Sequence, residues 1–170
     1  DIGNAQVFAA QHRDKLRYCF ELSQWFFWDG SVWKPDALDQ LDKISEDTVR
    51  SFLSEASELY DTTEREEFLR WIKQSGNRHR QKAMLEQARH RLKITQEMLD
   101  QSPEHLNLLG QIANLKTGQI STADPHAYCT RQVKLKFNPD AICPIWERFL
   151  NQVMGGSEDL IKYLQRYQPI

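Results

Sequence analysis

The chain has 170 residues, 40% of them hydrophobic and 27% charged, with a net charge of −2. That balance fits a globular unit with one core or two small ones; no stretch nears the roughly 18 consecutive apolar residues of a membrane span, and the first residues lack the basic and apolar regions of a secretory leader. Three cysteines, Cys19, Cys129 and Cys143, show no CxxC spacing, which argues against a disulfide framework and fits a reducing cytoplasm.

Asn4 is suited to cap a short helix from Ala5 to about Arg13, with Val7, Phe8 and Leu16 turned inward, and extended chain follows. Between Gln24 and Lys34 the bulky residues Trp25, Phe26, Phe27, Trp28, Val32 and Trp33 flank Asp29-Gly30. That pair favours a two-residue hairpin turn, because glycine tolerates positive φ, so a β-hairpin is expected. Pro35 closes it. Asp36 opens a helical region to about Tyr60, in which Leu38, Leu41, Ile44, Val49, Phe52, Leu53 and Ala56 recur at helical intervals, with a break near Ser45. Thr63 followed by Glu66 has the form of a capping box for a helix bearing Phe68, Leu69 and Ile72, which Gly76 ends. Asn77 caps the next helix, Arg78 to about Ile94, whose Met84, Leu85, Ala88 and Leu92 cover roughly 100° of the helical wheel. Thr95 to Leu99 add one turn.

After Pro103 the texture changes to short apolar pieces, Leu106 to Leu109, Ile112 to Leu115, Gln119 to Ser121 and Val133 to Phe137. Gly110, Thr117-Gly118, Asp124-Pro125 and Asn138-Pro139 separate them, so small strands or extended arms are expected. Pro144 starts a helix with Ile145, Trp146, Phe149, Leu150 and Val153, ending at Gly155-Gly156. Ser157 caps the last helix, in which Leu160, Ile161 and Leu164 make the buried face.

Charge is segregated along the chain. From Asp36 to Glu67 acids dominate, whereas Arg70, Lys73, Arg78, Arg80, Lys82, Arg89, Arg91 and Lys93 face the single acid Glu86. On a continuous helix Arg78, Lys82, Arg89 and Lys93 fall within about 60° of one another and form a basic ridge. Such a ridge, with Arg80 beside it, can neutralise nucleic-acid phosphates. It can equally lie under the acidic helix or against another subunit.

Enzymatic motifs are weaker. Gly110 precedes Leu115-Lys116-Thr117 at a spacing like that of a Walker loop, but the loop needs glycine directly before the lysine; a turn is expected instead. Asp36, Asp39 and Asp42 suit one exposed face of a helix rather than a two-metal site. His126 and Cys129 lack the second pair of ligands that zinc wants. Trp25, Trp28 and Trp33 could stack on unpaired bases, but a hairpin must bury at least one face, and core packing is expected for them, for Trp71 and for Trp146.

One resemblance is specific. DIGNA at the start, Trp28-Asp29-Gly30, Trp71-Ile72-Lys73, Leu106-Asn107, Leu115-Lys116-Thr117-Gly118, Asp124-Pro125, Asn138-Pro139-Asp140-Ala141, Cys143-Pro144-Ile145-Trp146 and Leu164-Gln165-Arg166-Tyr167 carry it. Together they resemble the helical N-terminal domain that precedes the superfamily-three helicase in phage and plasmid primase-helicases, and in the poxvirus primase-helicase. Leu109 stands where that family usually has an Asn before its Gly, and Asn114 where it usually has an Asp. Gln168-Pro169-Ile170 stands where the next helix would continue, which points to a trimmed or truncated end.

The resemblance implies a mainly α domain, with a small β-hairpin near the N-terminus and short β elements before two C-terminal helices. Residues 1–100 form the helical region with the hairpin, and residues 101–170 the β elements and the helices leading to a motor outside this chain, or both close into one domain. The implied role is a non-catalytic linker in DNA replication, supporting DNA engagement and ring assembly in the cytoplasm of a bacterium that hosts a phage, prophage or plasmid. ATP and magnesium are expected only in the motor. The expected partners are single-stranded or forked DNA, bound by Arg78, Arg80, Lys82, Arg89 and Lys93, and further copies of the protein in a hexameric ring; no membrane is involved. The alternative is an oligomerisation collar that does not touch DNA.

Overall fold

The computed structural model describes residues 2–36 and 40–167, with backbone alone for 165–167. In chain order these residues form α1 (Ile2–His12), β1 (Leu16–Cys19), β2 (Gln24–Trp28), β3 (Trp33–Pro35), α2 (Gln40–Glu58), α3 (Thr62–Ser75), α4 (Arg78–Arg89), β4 (Lys93–Ile94), β5 (His105–Leu108), β6 (Gln111–Asn114), β7 (Ile120–Thr122), α5 (Pro144–Val153) and α6 (Glu158–Tyr167). Helix accounts for 49% and strand for 16%, so helix predominates as expected, but two small sheets make the architecture mixed α/β rather than purely helical. One sheet has four strands in the order β3-β2-β1-β4, and the other three in the order β5-β6-β7.

The hairpin between Gln24 and Lys34 forms with Trp28 opposite Trp33, which leaves four residues in its loop rather than two. The Asp29 carboxylate holds this wider loop by accepting the Ser31 and Val32 N–H groups, both at 2.8 Å, and pairing with Lys34 Nζ at 2.5 Å. Gly30 takes φ +95°. The extended chain before the hairpin is β1, with Leu16 opposite Phe27 and Tyr18 opposite Trp25.

The basic helix is shorter than its periodicity predicts. It stops at Arg89, and Lys93 and Ile94 pair in parallel with Tyr18 and Cys19. The Tyr18 N–H donates to the Leu92 carbonyl at 2.8 Å. Tyr18 and Cys19 are buried, and unpaired backbone groups there would cost more than another helical turn returns.

Alternation along the strands sends Leu16, Tyr18 and Trp25 to one face of the four-stranded sheet, against Phe8 and Ala9 of α1 and Met84, Leu85 and Ala88 of α4. Cys19, Phe26, Trp33 and Ile94 fill the other face, beneath Leu99 and Tyr128. Trp33 is wholly buried and its Nε1 donates to the Pro125 carbonyl at 2.7 Å. A third cluster joins Val49, Phe52 and Ala56 of α2 to Ile72, Phe68 and Trp71 of α3.

Several predicted helix boundaries move. Asn4 is no cap: α1 begins at Ile2, and the buried Asn4 side chain donates through Nδ2 to Ser75 Oγ at 3.1 Å. No break occurs at Ser45, whose buried hydroxyl donates to the Asp42 carbonyl at 2.7 Å inside a continuous α2. Asp36 accepts the N–H groups of Gln40 and Leu41 at the entry to that helix, while Leu38 and Asp39 lie outside the described residues. The cap of α3 is Asp61, which accepts the Thr63 and Glu64 N–H groups, so Thr63 and Glu66 are interior positions and form no capping box. Gly76 and Asn77 end α3 and cap α4 as their residue types predict.

Residues 133–137 form no regular strand but run beside β5. The Val133 N–H donates to the Asn107 carbonyl and the Leu109 N–H to the Leu135 carbonyl, each at 2.9 Å. Ser31 ties the hairpin loop to this second sheet: its Oγ donates to the Leu108 carbonyl at 3.0 Å and accepts from the Gly110 N–H at 2.5 Å and Gln132 Nε2 at 2.6 Å. In α5 and α6 the expected apolar face exists but is not buried. Leu150 is covered, whereas Ile145, Trp146, Phe149, Val153 and Leu160 are exposed, and Ile161 and Leu164 are half-buried. Helical spacing places such residues on one side without supplying anything to cover them.

Candidate nucleic-acid interface

The Asn77 side chain sets the start of α4 by accepting the His79 N–H at 2.9 Å. One turn apart from that start, Arg78 and Lys82 share a helical face with Gln81 and Leu85. Asp42, Glu46, Val49 and Arg50 are likewise one face of α2. The two faces meet across a cleft of about 560 Å³ whose polar lining is Asp42, Glu46, Arg50, Arg78, Gln81 and Lys82. Among the described residues no ion pair spans it: Arg50 reaches Asp47 of its own helix at 3.9 Å, and Arg78 and Lys82 have no carboxylate within 4.0 Å. Through water at separations beyond 4 Å, each opposite pair is worth under about 1 kcal/mol. The acids of α2 therefore temper the basic face without neutralising it.

The other predicted cations do not stand beside this pair. Arg80 is half-buried and, by helical geometry, about 160° around α4 from Arg78 and Lys82. Arg89 shares their face but lies near the far end of the helix, half-buried, with its guanidinium carbon 4.9 Å from the centre of the Tyr18 ring and a buried Nε that has no hydrogen-bond partner among the described residues. Lys93 is exposed on β4 and off the helix altogether, because the chain has turned to pair with β1. The ridge over residues 78–93 is thus corrected to a pair at the start of α4 and three separate cations. Asp42, Glu46 and Arg50 line the same cleft, and their four-residue spacing becomes one helical face only because α2 runs unbroken through Ser45.

The chemical motifs fall elsewhere. Lys116-Thr117-Gly118 is a turn between β6 and β7, held by Asn114 Oδ1 accepting the Lys116 and Thr117 N–H groups at 3.0 and 3.1 Å, with Gly118 at φ +70°. Asp36 is engaged at the entry to α2 and Asp42 lines the cleft. Cys129 is buried and burial pushes its thiol up, with a hydrogen bond from Asn107 acting the other way. Cys143 is exposed beside the start of α5, and no group of three or more His, Cys, Asp or Glu is placed to hold a metal among the described residues. None of the described helices is long and apolar enough to cross a membrane. Trp146, expected in the core, is 39% exposed.

A family described as D5 N terminal like matches residues 5–155, a span that takes in both sheets, the cleft and α5. No curated protein matches the chain.

Proposed function

Since the chain belongs to the D5 N-terminal-like family, the N-terminal domain of phage and viral primase-helicase proteins, we propose that it is a non-catalytic part of such a protein and that the start of α4 holds the phosphates of single-stranded or forked DNA. The observation that carries the reading is the exposure of Arg78 and Lys82 without a partnering carboxylate among the described residues. Cations of this kind release counterions when they meet phosphate, whatever the base sequence. Arg80, Arg89 and Lys93 take a secondary part, set by their separation from the pair. ATP and magnesium act in the motor domain of the parent protein, which works in the cytoplasm of the infected or plasmid-bearing cell.

The test is fluorescence anisotropy of labelled forked DNA across a salt series. Replacing Arg78→Gln and Lys82→Gln together lowers the slope of log affinity against log salt by roughly 1.4 to 1.8, two phosphates at the single-strand and duplex values. An unchanged slope and affinity reject the assignment.

The exposed apolar side of α5 and α6 favours a second reading, an oligomerisation collar in a hexameric ring. Ile145 is 81% and Phe149 51% exposed there, and apolar residues grouped in this way mark contact surfaces. Sedimentation of the chain and of its Ile145→Glu/Phe149→Glu variant distinguishes the two: self-association lost in the variant, with DNA affinity retained, supports the collar.

A further inference from the structure

A second cationic surface lies away from α4. Between Pro125 and Pro139 the chain carries Arg131, Lys134 and Lys136 and no acidic residue, and of these Arg131 pairs with Asp100 at 4.0 Å. Residues 131–137 of this stretch run along the outer edge of β5, an end strand of its sheet, pinned there through Val133 and Leu135. The Leu135 N–H turns back to the Val133 carbonyl at 2.8 Å, a three-residue turn with Lys134 at its apex. The Gln132 side chain points the other way, donating to Ser31 Oγ and the Leu108 carbonyl, and so anchors the arm to the interior. Lys134 and Lys136 are exposed, and so are two apolar neighbours, Leu135 at 64% and Phe137 at 46%.

Cations alternating with open apolar side chains on a fixed, extended segment need a partner that offers negative charge and apolar faces at the same short spacing. Duplex DNA presents phosphates but keeps its base faces stacked, whereas an unpaired strand exposes both along one line. We propose that the 131–137 arm is a contact for single-stranded nucleic acid, with Lys134 and Lys136 at phosphates and Phe137 stacked on an unpaired base. The inference rests on the reading that this domain engages DNA but uses none of the α4 residues.

Anisotropy with a labelled oligothymidine, compared with a duplex of equal phosphate count, tests it on the 170-residue chain. Lys134→Gln/Lys136→Gln lowers the single-strand salt slope by roughly 1.4. Phe137→Ala weakens oligothymidine binding about tenfold, within the range for loss of one stacked base, and leaves the duplex unchanged, while Phe137→Tyr restores the parent affinity. All three side chains are exposed, so the urea midpoints stay at the parent value. No binding of oligothymidine by the parent, an unchanged slope in the lysine variant, or equal losses on both ligands in Phe137→Ala overturns the proposal. Phe137→Ala that keeps oligothymidine affinity but abolishes self-association also overturns it, and assigns the arm to protein contact. The α4 variant separates the two readings: if it alone loses binding the arm proposal falls, and if the arm variants alone lose binding the α4 assignment falls and the arm stands.

Discussion

Replacing Ser31→Ala tests how the two sheets are held together. Ser31 is 8% exposed, and its hydroxyl makes three hydrogen bonds, to the Leu108 carbonyl, the Gly110 N–H and Gln132 Nε2, at sequence separations of 77, 79 and 101 residues. Three bonds at about 0.5 to 1.5 kcal/mol each bracket the loss between about 1.5 and 4.5 kcal/mol. The lower half of that range applies, because the Leu108 carbonyl and Gln132 Nε2 keep each other at 3.1 Å, and only the Gly110 N–H loses the partner described for it. A destabilisation of about 2 kcal/mol shifts the urea midpoint down by about 1 M, for a slope near 2 kcal/mol/M. Urea unfolding followed by tryptophan fluorescence reads this directly. Ser54→Ala is the control: its exposed hydroxyl donates to the Ser51 carbonyl within α2, and its effect stays within about 0.5 kcal/mol. Because Ser31 and Gln132 touch, a double-mutant cycle with Gln132→Ala gives a coupling of at least about 0.5 kcal/mol. A Ser31→Ala midpoint equal to that of the Ser54 control, with no coupling to Gln132, refutes the idea that this hydroxyl joins the sheets.

Two further outcomes follow from the packing. Met84, 1% exposed between α1, α4 and the four-stranded sheet, loses about 2 to 5 kcal/mol on truncation to Ala by the usual cost of a core cavity; a thermal unfolding midpoint equal to the parent's contradicts the assigned core. His12 meets Thr48 Oγ1 at 2.8 Å, and burial, helped by nearby Lys15, holds its pKa below the ordinary value. The folded state therefore favours the neutral ring, so this contribution is fully present above the unfolded value of about 6.5 and is lost as pH falls from there through the lower folded value. His12→Gln, which cannot titrate, flattens stability over that window in urea midpoints measured at successive pH values; an identical pH dependence in the variant excludes His12 as a source.

Local chemistry, legible in the residues, determined much of this protein. Asp29-Gly30 between aromatic runs specified a hairpin, Asn77 and Gly76 marked a helix junction, Pro144 and Gly155-Gly156 bounded α5, and Asn114 with Gly118 made a turn of the stretch that imitates a phosphate loop. Each depends on φ preference, ring constraint or a side chain bonding to its own neighbouring backbone, and none needs a distant partner. The quoted motifs also pointed to the family that the match over residues 5–155 shows.

Only the tertiary structure decided where the basic helix ends, which cations stay together and which apolar faces are covered. Ala88 and Leu92 continue a helical period, yet the chain leaves the helix after Arg89 because β1 has a buried edge whose backbone groups need Lys93 and Ile94. That distant requirement moves Lys93 off the ridge, while the ring of Tyr18 holds Arg89. Asn4 reads as a cap because its side chain suits that role, but Ser75, 71 residues away, offers it a buried partner instead. Leu160 and Phe149 lie on apolar helical faces that periodicity describes well, and they remain open to solvent. A sequence pattern states which residues share a face; what the fold brings to that face depends on hydrogen bonds and packing between segments far apart in the chain.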